Sequence, residues 1–133
     1  AYSSGTYDAT AIREAHNAFD STDGTEWVSS NSSPPHWLAI DLGSSKTVTS
    51  YNLKNRTSGA ASSPMDWKFE SSDNNSTWVT RDTVTGNTNN TNNVWKGERP
   101  IAATSARYWR IYITDVNGGF PWTSINQFSI FGP

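Results

Sequence analysis

Apolar and polar residues alternate with a period of two over much of this chain, the pattern of strands with one face turned to a core. In residues 36–42 Leu38, Ile40 and Leu42 share one face, and Gly43-Ser44-Ser45 predicts a turn behind them. Residues 47–54 are β-branched and aromatic but change parity between Val48 and Tyr51, which predicts a bulge. Residues 66–71 set Trp67, Phe69 and Ser71 against Asp66, Lys68 and Glu70; after a turn at 73–76, Trp78 to Asp82 reads as the partner strand of a hairpin. The strongest strand is 107–114, with Trp109, Ile111 and Ile113 on one face and Tyr108, Arg110 and Tyr112 covering the outer side. A last core strand is expected over 124–131. Helical tendency is confined to Thr10–Ala18, with Thr10 as its N-cap, and is too short for more than a turn or two. Residues 83–93, rich in Asn and Thr with Val84 as the one apolar anchor, read as a mobile surface loop. Short strands between frequent turns predict an all-β chain, an antiparallel sandwich or jelly roll.

At 133 residues the chain fits one domain, residues 1–133, around one core. Only 34% of it is apolar but seven residues are Trp, so large rings must supply much of the buried area. Trp27, Trp37, Trp67, Trp78 and Trp109 are therefore assigned to core or rim packing. Net charge is −2 and the ten basic residues form no run, so nucleic acid is excluded as a partner and an anionic membrane is not expected. No stretch is apolar enough to span a membrane, and no signal peptide precedes Ala1, as in a mature fragment or an excised module. With no Cys there are no disulfides, thiolate metal sites or Cys nucleophiles. A surface rich in Ser, Thr and Asn suits an extracellular, cell-surface or virion-appendage protein, and sequons stand at Asn31, Asn55, Asn74, Asn75 and Asn89.

Four segments carry a family resemblance. Asn17-Ala18-Phe19-Asp20 through Trp27 is similar to "NAxDGxxxTxW", and Trp37 through Gly43 to "WxxxDLG". Asn55-Arg56 with Trp67 to Asn75 and Trp78 is similar to "R...F...S.DG..W". Ala106 through Tyr112, followed by Gln127 through Gly132, stands where "ELEVYG" is frequent. In this order they resemble the discoidin or coagulation factor 5/8 type C family, to which family 32 carbohydrate-binding modules belong. The resemblance implies a galactose-binding-domain-like jelly-roll sandwich of about eight strands, with ligand loops and a structural cation at one end. It points to bacterial or phage relatives, since the animal domains tie their termini with a disulfide.

For the cation, the resemblance implies Ca²⁺ held by Asn17, Asp20, Thr22, Thr25, Asn126 and Gln127. Asp20, Asp23 and the hydroxyls of Thr22 and Thr25 offer hard oxygens of the kind Ca²⁺ takes, but Gln127 stands where a Glu is common, and one carboxylate fewer weakens affinity. The other reading of Asp20, Thr22 and Thr25 is a turn closed by its own side-chain bonds. For the sugar, a binder needs a fixed ring against the apolar C–H face and a few planar polar groups at the rim. Residues 117–123, Asn-Gly-Gly-Phe-Pro-Trp-Thr, offer Phe120 and Trp122 on a stiffened loop. Arg56 with Asn55 beside it, His36 and Trp95 are the further candidates, Arg56 for its rigid fork of donors. The alternative is that Trp122 caps the core and Arg56 pairs with a carboxylate. The galactose-binding "TxWHxxW" is not met by residues 25–31, leaving a face built from Trp95, Lys96 or the 58–64 loop open.

Catalysis fails on inventory: two His, no Cys, no Gly-x-Ser-x-Gly and no His-Glu-x-x-His, while Asp41, the one half of a conceivable carboxylate pair with Asp66, lies in a structural strand motif. The reading is a non-catalytic glycan-binding module of a glycoside hydrolase, adhesin or phage tail appendage, made multivalent by tandem copies or oligomers. A protein- or lipid-headgroup-binding module of the same fold is the alternative.

Overall fold

The computed structural model describes residues 1–7 and 13–133. Its strands are β1 (Tyr2–Ser3), β2 (Trp27–Val28), β3 (His36–Lys54), β4 (Pro64–Ser72), β5 (Val79–Val84), β6 (Arg99–Val116), β7 (Ser124–Ile125) and β8 (Gln127–Phe131). Every pairing between them is antiparallel. The main sheet runs β1-β3-β6-β4-β5 with β8 added along β3, and β2-β7 forms a separate two-stranded sheet. The strand content and the eight strands agree with the expected antiparallel sandwich. Residues 10–12 of the expected helical stretch, with Thr10 as its N-cap, lie outside the described residues; beyond them the chain forms a 3-10 turn, Ala15–Phe19.

Two long strands make the two layers. Residues 36–54 form one continuous strand where a turn at 43–45 was expected. Pairing passes from Asp41↔Tyr108 to Lys46↔Ala106, so five steps along β3 face two along β6. Gly43, at φ 82, and its neighbours are absorbed as a bulge because both flanks stay paired with the same partner. Arg107 grips Asp41 with two bonds of 2.7 and 2.9 Å at this bend. The parity change between Val48 and Tyr51 does coincide with a register shift, Val48↔Thr104 to Ser50↔Pro100, but the extra residues are on β6. The first half of β3 thus pairs with β1 and the second half with β8.

The core lies between these halves. Leu38, Trp67, Phe69, Trp109, Ile111 and Ile113 meet Val48, Tyr51, Leu53 and Phe128 in one buried cluster. Phe69 stacks on Tyr51 at 4.0 Å between ring centres and on Trp109 at 5.1 Å, and meets Phe128 edge-on. Tyr51 brings a hydroxyl into this core, and it is satisfied: the Trp67 indole donates to it at 2.9 Å and it donates to Asp82 at 2.6 Å. Trp27, Trp67 and Trp109 are fully buried, while Trp37 and Trp78 are half-buried and meet the Arg110 guanidinium on the outer face of the sheet with Tyr112.

Residues 83–93 are tied down rather than loose. The Asn55 amide donates to the carbonyls of Asn89 and Thr91, Lys96 Nζ donates to the Asn89 carbonyl at 2.5 Å, and Asn92 accepts from the Ala60 N–H. Backbone carbonyls that leave the sheet must find donors elsewhere, and the Asn residues of this segment trade bonds with its surroundings.

Candidate functional site

The loop 117–123 is held at both ends. Asn117, 4% exposed, lies with its side-chain amide within 3.3 Å of Ser63 O, Ser63 Oγ, Pro64 O and Asn87 O. At the other end Thr123 N–H donates to Ser29 Oγ and Ser29 N–H donates to the Thr123 carbonyl, each at 2.8 Å. Between these anchors Gly118 turns left-handed at φ 71, and the Phe120 ring lies where a Cβ on Gly118 would meet it. Phe120 and Trp122, both half-buried, then stand 5.0 Å apart in a tilted pair. Phe120 packs against the core cluster, of which Trp122 is not a part.

Tyr7 meets Trp122 edge-on from the other side at 5.5 Å, and its own N–H donates to the Val28 carbonyl. Behind the rings, Arg56 Nε donates to Glu26 Oε1 at 2.7 Å; the Glu26 side chain is 10% exposed and that of Arg56 22%. Tyr7, Arg13, Val28, Arg56 and Trp122 enclose a cavity of about 140 Å³. An aromatic wall, a guanidinium whose fork still has donors beyond Nε, and an apolar floor form a site for a ring-shaped polar molecule. Arg56 pairs with a carboxylate, as the alternative reading of it expects, and it also lines this cavity. Tyr7, Arg13 and Glu26 were not anticipated. Glu26 lies one residue before the motif Trp27, which is the only signal it gives, and Tyr7 sits in a segment without a pattern.

Three expected sugar ligands stand elsewhere. His36 is 1% exposed, its Nε2 bonded to the Ser32 carbonyl at 2.7 Å and its Nδ1 to Thr123 Oγ1 at 2.9 Å, so it braces the loop instead of donating to a ligand. Burial holds the His36 pKa below its ordinary value. Asn55 is likewise 1% exposed and spends its amide on the 83–93 segment. Trp95 is 40% exposed but lines another groove, of about 160 Å³, with Asp23, Lys54 and Gln127. A larger groove, about 310 Å³, lies at the β4–β5 turn, lined by Ser71, Asp73, Asn74, Thr77 and Arg81 among others, with no aromatic ring.

The six residues to which a cation was assigned do come together. Asp20 accepts from the Thr22 N–H at 2.9 Å and the Thr25 hydroxyl at 2.5 Å, while Asn126 spends its side-chain amide on the carbonyls of Asp23 and Thr25. Burial pushes the Asp20 carboxyl up, but hydrogen bonds from Thr25, Thr22 and Gln127 outweigh it and hold the group below its usual range. Gln127 Nε2 faces Asp20 Oδ1 at 3.1 Å, the Thr22 carbonyl at 3.1 Å and the Asn17 carbonyl at 3.4 Å. No cluster of three His, Cys, Asp or Glu exists among the described residues. Bonded in this way, the donor set does not fit a divalent cation, since N–H groups face the oxygens that would hold it.

No curated protein matches the chain in sequence. Among solved structures, chitosan-binding module 1 of the chitosanase/glucanase from Paenibacillus sp. IK-5 is 25% identical, with 98% of this chain and 92% of that one covered and a TM-score of 0.79. Module 2 of the same enzyme, in complex with chitotriose, is also 25% identical, with 98% and 93% covered and a TM-score of 0.79. The family 32 carbohydrate-binding module of Clostridium perfringens NanJ, in complex with galactose, shares the fold at 20% identity, with 96% and 89% covered and a TM-score of 0.78. The sequence profile of the F5/8 type C domain matches residues 1–128, nearly the whole chain, in keeping with the motif order of the four segments and with the two-layer architecture. This chain belongs to the F5/8 type C domain family.

Proposed function

We propose that this chain is a non-catalytic module that binds a glycan in the cavity walled by Tyr7, Trp122 and Arg56. The observation that carries the reading is the meeting of Trp122, on a loop fixed at both ends, with Tyr7 and the Arg56–Glu26 pair. The C–H face of a sugar stacks on Trp122, and the free N–H groups of Arg56 donate to its hydroxyls. Because the loop is braced beforehand, little ordering cost is charged against these few contacts. The chitotriose complex of a 25% identical module supports a glycan as the partner. The absence of catalysis is part of the proposal: Glu26 is tied to Arg56, Asp41 to Arg107, and Asp66 accepts from the Gly86 N–H, so these carboxylates serve the fold. An extracellular or cell-surface location accompanies it, supported by the Ser, Thr and Asn surface.

A cavity this small gives a dissociation constant on the order of millimolar to tens of micromolar, so retention relies on tandem copies or oligomers. Calorimetry with galactose, chitotriose and an oligouronate is the test. One or more of the three should bind at one site, and Trp122→Ala should weaken that binding at least about tenfold, the loss of roughly 1.4 kcal/mol of stacking. Binding that survives unchanged in both Trp122→Ala and Arg56→Lys would move the site away from this cavity.

A further inference from the structure

We propose that the side-chain amide of Gln127 does the work of a cation in the Asn17–Thr25 loop, so that this domain is built without a metal at its ligand-bearing end. The amide is fixed at both of its atoms. Its Oε1 accepts from the Ser21 N–H at 3.1 Å, and its Nε2 points at Asp20 Oδ1, the Thr22 carbonyl and the Asn17 carbonyl. Ser21 stands in the left-handed region at φ 57, the conformation in which its N–H meets Gln127. For a cation to enter among these oxygens, the amide must turn over and present Oε1 instead. That rotation sets NH₂ against the Ser21 N–H, donor against donor, and a partly buried donor pair left unsatisfied is costly.

Charge points the same way. Asp20 is the only carboxylate among the six residues, and neighbouring Asp23 is engaged by Lys54 Nζ at 2.7 Å. A divalent ion would therefore be left with an uncompensated positive charge, whereas the two N–H groups of Gln127, shared among one carboxylate and two carbonyls, add none. Gln127 is 7% exposed and heads β8, so the same amide fastens the loop to the strand next to the second half of β3. The loop gains from a neutral side chain the crosslink that a Glu and an ion would make together.

The test compares thermal melts of the 133-residue protein in millimolar Ca²⁺ and in EDTA, beside the variant Gln127→Glu. The native protein is expected to melt at the same temperature in both buffers and to give no Trp-sensitised Tb³⁺ luminescence. Gln127→Glu, which sets a carboxylate against three oxygens, should melt lower in EDTA and gain several degrees when Ca²⁺ is added. A Ca²⁺-dependent rise in the native melt, or Tb³⁺ bound by the native chain, overturns the proposal. So does a folded Gln127→Glu protein that ignores Ca²⁺ as the native one does. Should Gln127→Glu fail to fold in EDTA, its recovery on adding Ca²⁺ carries the same meaning, and the native measurements stand alone. Glycan binding is read separately by calorimetry, so failure here leaves the sugar site untouched.

Discussion

At the scale of the residue, the most informative side chains are polar ones that the fold has taken inside. Tyr51 is 1% exposed and its hydroxyl joins the Trp67 indole to Asp82, which Arg99 also binds through Nε and Nη2. Removing that hydroxyl leaves a buried indole N–H without its acceptor and takes one donor from Asp82. Tyr51→Phe should therefore cost about 1–3 kcal/mol in urea unfolding, with the midpoint displaced and the slope unchanged. A neutral result would show that water replaces the hydroxyl. Sequence reading could not reach this network, because Tyr51, Asp82 and Arg99 are far apart along the chain and each is an ordinary strand residue. The same limit explains His36 and Asn55. A polar residue at a strand end looks alike in sequence whether it faces solvent or the underside of a loop, and here both face loops. Trp122 was legible as a ring on a loop for the opposite reason: a ring between Pro and Thr on a Gly-Gly loop has no strand face to fill.

At the scale of the element, local periodicity found the strands but not their continuity. Residues 66–71 and 107–114 alternate cleanly and lie within β4 and β6. Whether 36–42 and 47–54 are two strands or one depends on the distant partner, β6, which holds both, and no local signal carries that. The expected last strand likewise divides at Asn126, where β7 turns to Trp27 and Val28 while β8 joins β3. The 117–123 loop gives a paired prediction. Gly118 and Gly119 both have positive φ, at 71 and 67, so Ala at either carries the left-handed penalty of about 1–2 kcal/mol. A Cβ on Gly118 would also fall 2.8 Å from Phe120 Cε2 and 3.3 Å from the Ala61 carbonyl, whereas one on Gly119 meets nothing. Gly118→Ala should therefore lower Tm more than Gly119→Ala and weaken glycan binding by displacing Phe120, and with it Trp122. Equal melts and equal calorimetric affinities would mean that the rings are not set by this turn.

At the scale of the whole molecule, the fold was legible because its four motif segments fix the order of the strands, while the cavity was legible only in part because its walls come from three places. Residues 7, 56 and 122 are joined by no sequence pattern, only by the sandwich that brings them to one end. Acid stability is another property of the assembled body. Asp82 is pushed up by burial but held lower overall by Arg99 and Tyr51; Asp20 is held low by the hydrogen bonds of its loop, and Asp41 is drawn to about 2 by Arg107. A carboxyl whose folded value lies below its ordinary 3.8 binds fewer protons folded than unfolded, so its contribution is complete above 3.8 and lost as pH falls through the folded value. His36 behaves in the same direction from a higher start: burial depresses it below 6.5, so the fold holds it neutral and loses that contribution as pH falls through its folded value. The melting temperature should accordingly be level down to pH 6.5, decline gently below it, and fall steeply only below 3.8. Asp82→Asn should lower the neutral-pH Tm and flatten the steep limb, and His36→Gln should remove the gentle one. A Tm that rises on acidification from 6.5 would contradict the burial of His36, and an acid limb unaltered in Asp82→Asn would show that the Arg99 and Tyr51 contacts do not depend on the charge of that carboxylate.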